Sequence, residues 1–282
     1  MSFVQVSLVK VGITLLLIHR FEDALWSFRE ALSVRKAALG ALHPSTARIY
    51  NNIGCVHVEF NEFREARRAF EAALDIQRNA LSQDPDSGPL MFGAATTLCN
   101  LGYLYRYVVD CLDQRECRKF PSLTFHPFSN YRYRDMHAKA ALVLKEAVDL
   151  QESVLGRTHA TVLSTLDNLA DSCANSGHAA DALKYYNMVL ERFRVGGRSG
   201  SKKVLRAEAV LHYKMSRVHR HRNDRETQLD SLKLALRSVR AYSDSSNTDS
   251  AGDDQTDTLE RRIQHDIRGA REQIEKEQLK WI

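Results

Sequence analysis

The chain has 282 residues, 44% of them hydrophobic and 27% charged, with a formal net charge of +5. These values sit near globular averages and predict a folded core. The mild charge does not by itself select a nucleic-acid partner. Cys55, Cys99, Cys111, Cys117 and Cys173 are odd in number and scattered, with no C-x-x-C pair. That usage excludes a disulfide framework and points to a reduced, cytoplasmic chain. Five prolines and thirteen glycines leave room for long uninterrupted helices.

The first apolar stretch, Phe3 to Ile18, has no basic leader and no small-residue cleavage site, and it carries Gln5, Ser7 and Lys10. It is also short for a bilayer span. It reads as a helix of the fold, not as a targeting segment, and no membrane span is expected.

The next stretch is said twice. Phe21-Glu22-Asp23-Ala24 returns as Phe63-Arg64-Glu65-Ala66, Phe28 as Phe70, and Ala31-Leu32 as Ala73-Leu74, each shifted by 42 residues (66 − 24). A fixed period of a few tens of residues is the mark of a repeat architecture. One such unit cannot bury its own apolar face, so neighbours must stack. Shifting Gly54 back by the same period lands on Gly12, which makes Phe3–Ile18 and Glu22–Leu39 the helices of repeat one.

Repeat two is predicted as Thr46–Phe60 and Phe63–Leu81, with Ser45 as the cap of its first helix and Asn61 in the turn. Repeat three begins at Gly93, with Leu98, Leu101-Gly102 and Tyr105 on its first helix; its second-helix signature, Ala140, Leu144 and Ala147, arrives late. Cys111–Met136, with its prolines and aromatics and no helical period, reads as an insertion bulging from the repeat.

Repeat four follows with Leu166, Leu169-Ala170 and Cys173, a turn at Gly177, and Ala182, Tyr186 and Val189. Residues 194–203 read as a flexible basic linker. Repeat five is degenerate: Met215-Ser216, His219, Leu232 and Ala235-Leu236 keep the register, and Gln228 replaces the small alanine. The predicted organisation is a solenoid over 1–242, a disordered Ser/Asp/Asn-rich linker over 243–256, and a capping helix over 257–282 with Leu259, Ile263, Ile267 and Ile274 on one stripe.

Tyr50, Ile53-Gly54 and His57 followed by Ala66, Phe70 and Ala73 resemble the tetratricopeptide pattern, a helix pair in which a small residue admits a large one. Leu39-Gly40-Ala41-Leu42-His43-Pro44 between repeats, then Asn51-Asn52-Ile53-Gly54, is similar to the longer repeats of the kinesin light chain type; Leu155-Gly156 with His159 repeats the connection. Repeat four departs at Ala160 and Asp167, and repeat three lacks the His-Pro. The resemblance implies an all-α, right-handed superhelical solenoid that binds proteins without catalysis.

It also implies where. Asn52, Asn100 and Asn168 hold one position in three repeats, on first helices that line the concave groove of such solenoids. An amide there donates and accepts at once, which suits a peptide backbone. Arg48, Tyr103, Lys214 and Arg217 follow on the same face and suit an extended acidic or aromatic segment of a protein partner. The alternative is that the asparagines brace neighbouring repeats. His43 and His159 fit a turn role.

Cys111, Cys117, His126 and His137 match no zinc spacing. Nucleophile-elbow, phosphate-loop, zinc-protease and dinucleotide motifs do not occur, so no enzyme, cofactor or small-molecule substrate is expected. Two other uses of the repeats stay open: the detached sensor or scaffold part of a larger signalling protein, and an RNA-binding solenoid. Basic runs at 198–203 and 217–222 read first as solvated, charged helix ends and otherwise as a patch for RNA or an acidic lipid, and Glu59 and Asp171 interrupt any basic stripe.

Overall fold

The computed structural model describes residues 2–119, 127–196, 201–244 and 254–279, and they form eleven α-helices with no strand among them. The first pair is α1 (Ser2–Leu17) and α2 (Phe21–Leu39), and the second is α3 (Pro44–Glu59) and α4 (Phe63–Gln83). Two long helices follow, α5 (Gly88–Lys119) and α6 (Pro127–Leu155). Then come α7 (Ala160–Ser176), α8 (Ala179–Gly196), α9 (Lys202–His221), α10 (Arg225–Asp244) and α11 (Asp254–Leu279). The fold is an all-α tetratricopeptide solenoid. It divides into two compact units, 1–165 and 166–282, whose boundary falls within α7.

The first three helix pairs close on one steric fit. A Cβ placed on Gly12 would lie 2.6 Å from the Phe28 ring, and one on Gly54 would lie 2.5 Å from the Phe70 ring. On Gly102 it would meet Leu144 at 2.7 Å. Real Cβ atoms do not approach so closely. The missing side chain on the first helix is the space in which the large residue of the second helix sits. Phe28 and Phe70 are fully buried there. Removing such a ring from water is worth about 1.5–3 kcal/mol. In α4, Ala66, Ala69, Phe70, Ala73, Leu74, Ile76 and Gln77 are buried at helical spacing, so one stripe holds both the partner helix and the next repeat.

The turns within four of the pairs share one geometry. His19, Asn61, Gly177 and Asn223 adopt φ of 59°, 58°, 92° and 60°. The next N–H then reaches back five residues, from Arg20 to Leu15 O, Glu62 to His57 O, His178 to Cys173 O and Asp224 to His219 O. This is a Schellman closure, in which a left-handed residue satisfies the last carbonyls of the helix. His19 meets the requirement as a histidine, without the usual glycine or asparagine.

Several sequence expectations change. Ser45 does not cap α3: His43 does, its Nδ1 accepting the Ser45 N–H at 3.2 Å, with Pro44 in the first turn. His159 Nδ1 accepts the Thr161 N–H at 3.2 Å in the same way. The recurring histidine is thus a helix cap, and in both cases it takes the N–H of the second residue after it.

The stretch 111–136 is helical wherever it is described. α5 runs on to Lys119 and α6 starts at Pro127, so residues 111–119 and 127–136 extend the pair; residues 120–126 lie outside the described residues. Residues 194–196 and 202–203 are likewise helical, and Arg194 Nε donates to Glu208 Oε1 at 2.8 Å across α8 and α9. Residues 245–253 of the expected linker lie outside the described residues, while 243–244 close α10 and 254–256 open α11. In the second unit, Ile263, Ile267 and Ala270 of α11 are buried in a cluster with Leu232, Ala235 and Val239 of α10.

Candidate functional site

In the first unit α1 touches α3 and α3 touches α5, so the first helices form a continuous wall. Arg48, Asn52, Asn100 and Tyr103 stand on it. Arg48 and Tyr103 are exposed, and the two asparagines are half-buried. In the second unit Asn168 lies on α7 and Lys214 and Arg217 on α9; Asn168 and Lys214 are half-buried and Arg217 is exposed.

The asparagine position has a partner rule. Asn100 Nδ2 donates to Asn51 Oδ1 at 3.0 Å and approaches Cys55 Sγ at 3.7 Å. Relative to Asn52, these targets are the preceding residue and the residue three further on. Lys214 occupies the asparagine position of repeat five, two residues before Ser216. It obeys the same rule against α7: Nζ donates to both Asp167 oxygens at 2.8 Å and to Asp171 at 3.1 Å. Relative to Asn168, those are again the preceding residue and the third one on. The position therefore clasps one first helix to the one before it, by an amide in one unit and an ammonium in the other.

Asn52 breaks the pattern. Its targets by register on α1 are Val9 and Ile13, which carry no polar atom. Its amide has no hydrogen-bond partner among the described residues.

Tyr186 completes the charged cluster of the second unit. Its hydroxyl donates to Asp171 Oδ1 at 2.6 Å, and its ring lies 5.8 Å beneath Lys214 Nζ. Burial, then the charge of Asp171, pushes the Tyr186 phenol far above its ordinary range. Of these, Asp171 is expected from the sequence only as a break in a basic stripe, and Asp167 and Tyr186 are not expected at the site, although two acids four apart in the register of the asparagine are visible in the sequence.

Tyr103 lies on a shelf of rings. It stacks on Tyr107 at 5.8 Å with planes 13° apart, and Tyr107 meets Phe63 edge-on at 5.9 Å. The thiols nearby are not poised to react. Burial, then Glu59, pushes Cys55 up to about 11, and burial also raises Cys99. In the second unit burial, then Asp181, raises Cys173 to about 11.

Among the described residues no group of three or more His, Cys, Asp or Glu side chains gathers in metal-binding geometry. His137 is buried on α6; the side chains of Cys111, Cys117 and His126 lie outside the described residues. Among the described residues no helix is long and apolar enough to cross a membrane.

Comparison with known proteins agrees with the all-α fold of paired helices. The tetratricopeptide repeat family model matches residues 4–79. No curated protein matches the chain by sequence. Among solved structures, the putative kinesin light chain nearly identical TPR-like repeats of Podosopora anserina are similar, with a TM-score of 0.59 at 14% identity. The match covers 88% of this chain and 100% of that one. BtubC (BKLC) from P. vanneervenii has a TM-score of 0.57 at 15% identity, covering 85% and 80%. A MamA protein has 0.52 at 10%, covering 89% and 100%. At such identities the likeness is one of fold. Residues 4–79 are tetratricopeptide repeats, and the fold of the chain is similar to that of these kinesin light chain type repeat structures.

Proposed function

We propose that the chain is a non-catalytic, cytoplasmic adaptor that holds an extended segment of a protein partner against its first helices, in the manner of a kinesin light chain. A tetratricopeptide fold supports a protein-interaction scaffold in general. The observation that carries the finer reading is Asn52. Its equivalents Asn100 and Lys214 are consumed by the preceding helix, whereas its own amide is left unpartnered on an exposed wall. Beside it Arg48 offers an exposed guanidinium, which suits an acidic residue of the partner, and Tyr103 offers a ring for an aromatic one. Asn100 borders this site. In the second unit Asn168, Lys214 and Arg217 form the corresponding wall, with Lys214 available only to a partner that displaces an aspartate.

The test is site-specific photocrosslinking in cells. A benzophenone side chain replaces Asn52, and in a control it replaces Glu65, exposed on α4. Discrete adducts with another polypeptide are expected from position 52 and not from position 65. Equal labelling from both positions, or none from position 52, overturns the reading.

A further inference from the structure

The wall of the first unit has two apolar ends and a polar middle. At one end Ile13 and Leu17, four residues apart and so on one face of α1, are 40% and 73% exposed. At the other end Tyr103 is 59% exposed. The repeat register ties these places together: Ile13, Cys55 and Tyr103 hold one position on α1, α3 and α5, and Leu17, Glu59 and Tyr107 hold the next one a turn further on. Between the apolar ends, α3 presents the unpartnered Asn52 with Arg48 and Glu59, both exposed.

We infer that this wall reads an extended peptide by two apolar side chains spaced five or six residues apart, one on Ile13 and Leu17 and the other on Tyr103, with Asn52 holding the backbone between them. The inference rests on the peptide-binding reading above and adds the ligand's spacing. The spacing follows from the helices: two packing steps of about 8–10 Å put α1 and α5 about 16–20 Å apart, and an extended chain covers that in about five or six residues at about 3.3 Å each. The Tyr103 end suits a flat apolar group, because its ring stacks on Tyr107, which Phe63 in turn meets edge-on. A rigid anchor loses little conformational freedom on binding. The α1 end offers aliphatic surface without a ring. The two ends therefore favour different side chains, and the peptide binds in one direction.

The probe is a random dodecapeptide library displayed on phage, panned against the full chain. Enriched peptides are expected to carry two apolar residues five or six apart. Leu17→Asp should erase the preference at one of them and Tyr103→Ala at the other, each weakening the best synthetic peptide at least tenfold. Both residues are exposed, so unchanged melting curves accompany the loss. Enriched peptides that depend on Asn52 but ignore both variants, or that show any other spacing, sink the two-anchor inference and leave the groove in place. Failure to enrich any peptide sinks both.

Discussion

Asn100 and Asn51 meet side chain to side chain, Nδ2 donating to Oδ1 at 3.0 Å, so at position 100 the recurring asparagine is a clasp between first helices. A clasp and a ligand contact fail differently. Asn100→Ala removes a half-buried neutral hydrogen bond and strands Asn51, a cost of about 0.5–1.5 kcal/mol in stability. Asn52→Ala removes no intramolecular bond and should leave the melting temperature within error while weakening the selected peptide. Urea denaturation and peptide titration on the same preparations separate the two. A destabilised Asn52→Ala with intact affinity would return Asn52 to a bracing role.

The Gly54 contact predicts a steep steric response. With a Cβ at 2.5 Å from the Phe70 ring, Gly54→Ala already forces the helices apart, and Gly54→Leu adds volume with nowhere to go. Overpacking of this kind costs about 1–3 kcal/mol. Phe70→Leu in the Gly54→Ala background should recover only a small part of it, since a leucine in this place still crowds a Cβ, as Leu144 would at 2.7 Å from one on Gly102. Thermal unfolding by circular dichroism gives the answer; no rescue would place the strain elsewhere.

Much of the fold was legible because the repeat fixes it by local rules. A small residue at 12, 54 or 102 facing a large one on the next helix is a spacing that the sequence states outright. What was not legible depends on partners far apart in the chain. The sequence reads 111–136 as an insertion bulging from the repeat, because prolines and aromatics blur helical periodicity, yet 111–119 continue α5 and 127–136 open α6. The candidate site was half-legible: the asparagine register was right there to read, but whether an amide is spent or spare depends on the helix before it. Val9 and Ile13 on α1 decide this for Asn52, and Asp167 and Asp171 decide it for Lys214.

The charged cluster of the second unit should behave as one object. Lys214 lies between Asp167 and Asp171, and Tyr186 shares Asp171. Lys214→Met leaves two aspartates one helical turn apart without their cation. Charge-assisted hydrogen bonds of this partly buried kind are worth about 1.5–3 kcal/mol. Tyr186→Phe removes a single bond and should cost about 1 kcal/mol. Groups in one network do not add, so the double variant should miss the sum of the singles by about 0.5 kcal/mol or more. Additive losses in chemical denaturation would show that the lysine and the tyrosine act independently.

Acid should loosen the second unit through His212. The imidazole is buried on α9, and its Nδ1 has no partner among the described residues. Burial, with Arg194 of α8 as a further cause, holds its pKa below the ordinary 6.5, against a smaller upward pull from Glu208 of α9. The sign follows from proton counting. Well above pH 6.5 the imidazole is neutral whether the chain is folded or not, and it contributes little pH dependence. As the pH falls below that value the unfolded chain takes up a proton that the folded one resists, so stability declines until the folded pKa is reached. His219 is depressed as well, chiefly by burial, and acts in the same direction. His212→Leu keeps the packing volume and removes the proton site. Its melting temperature should therefore fall less than that of the wild type between pH 7.5 and pH 5, two values about 2.5 units apart that bracket an ordinary histidine pKa of about 6.5. Parallel pH profiles for the two proteins would mean that His212 takes up its proton in the fold without cost, and that the acid sensitivity belongs to other groups.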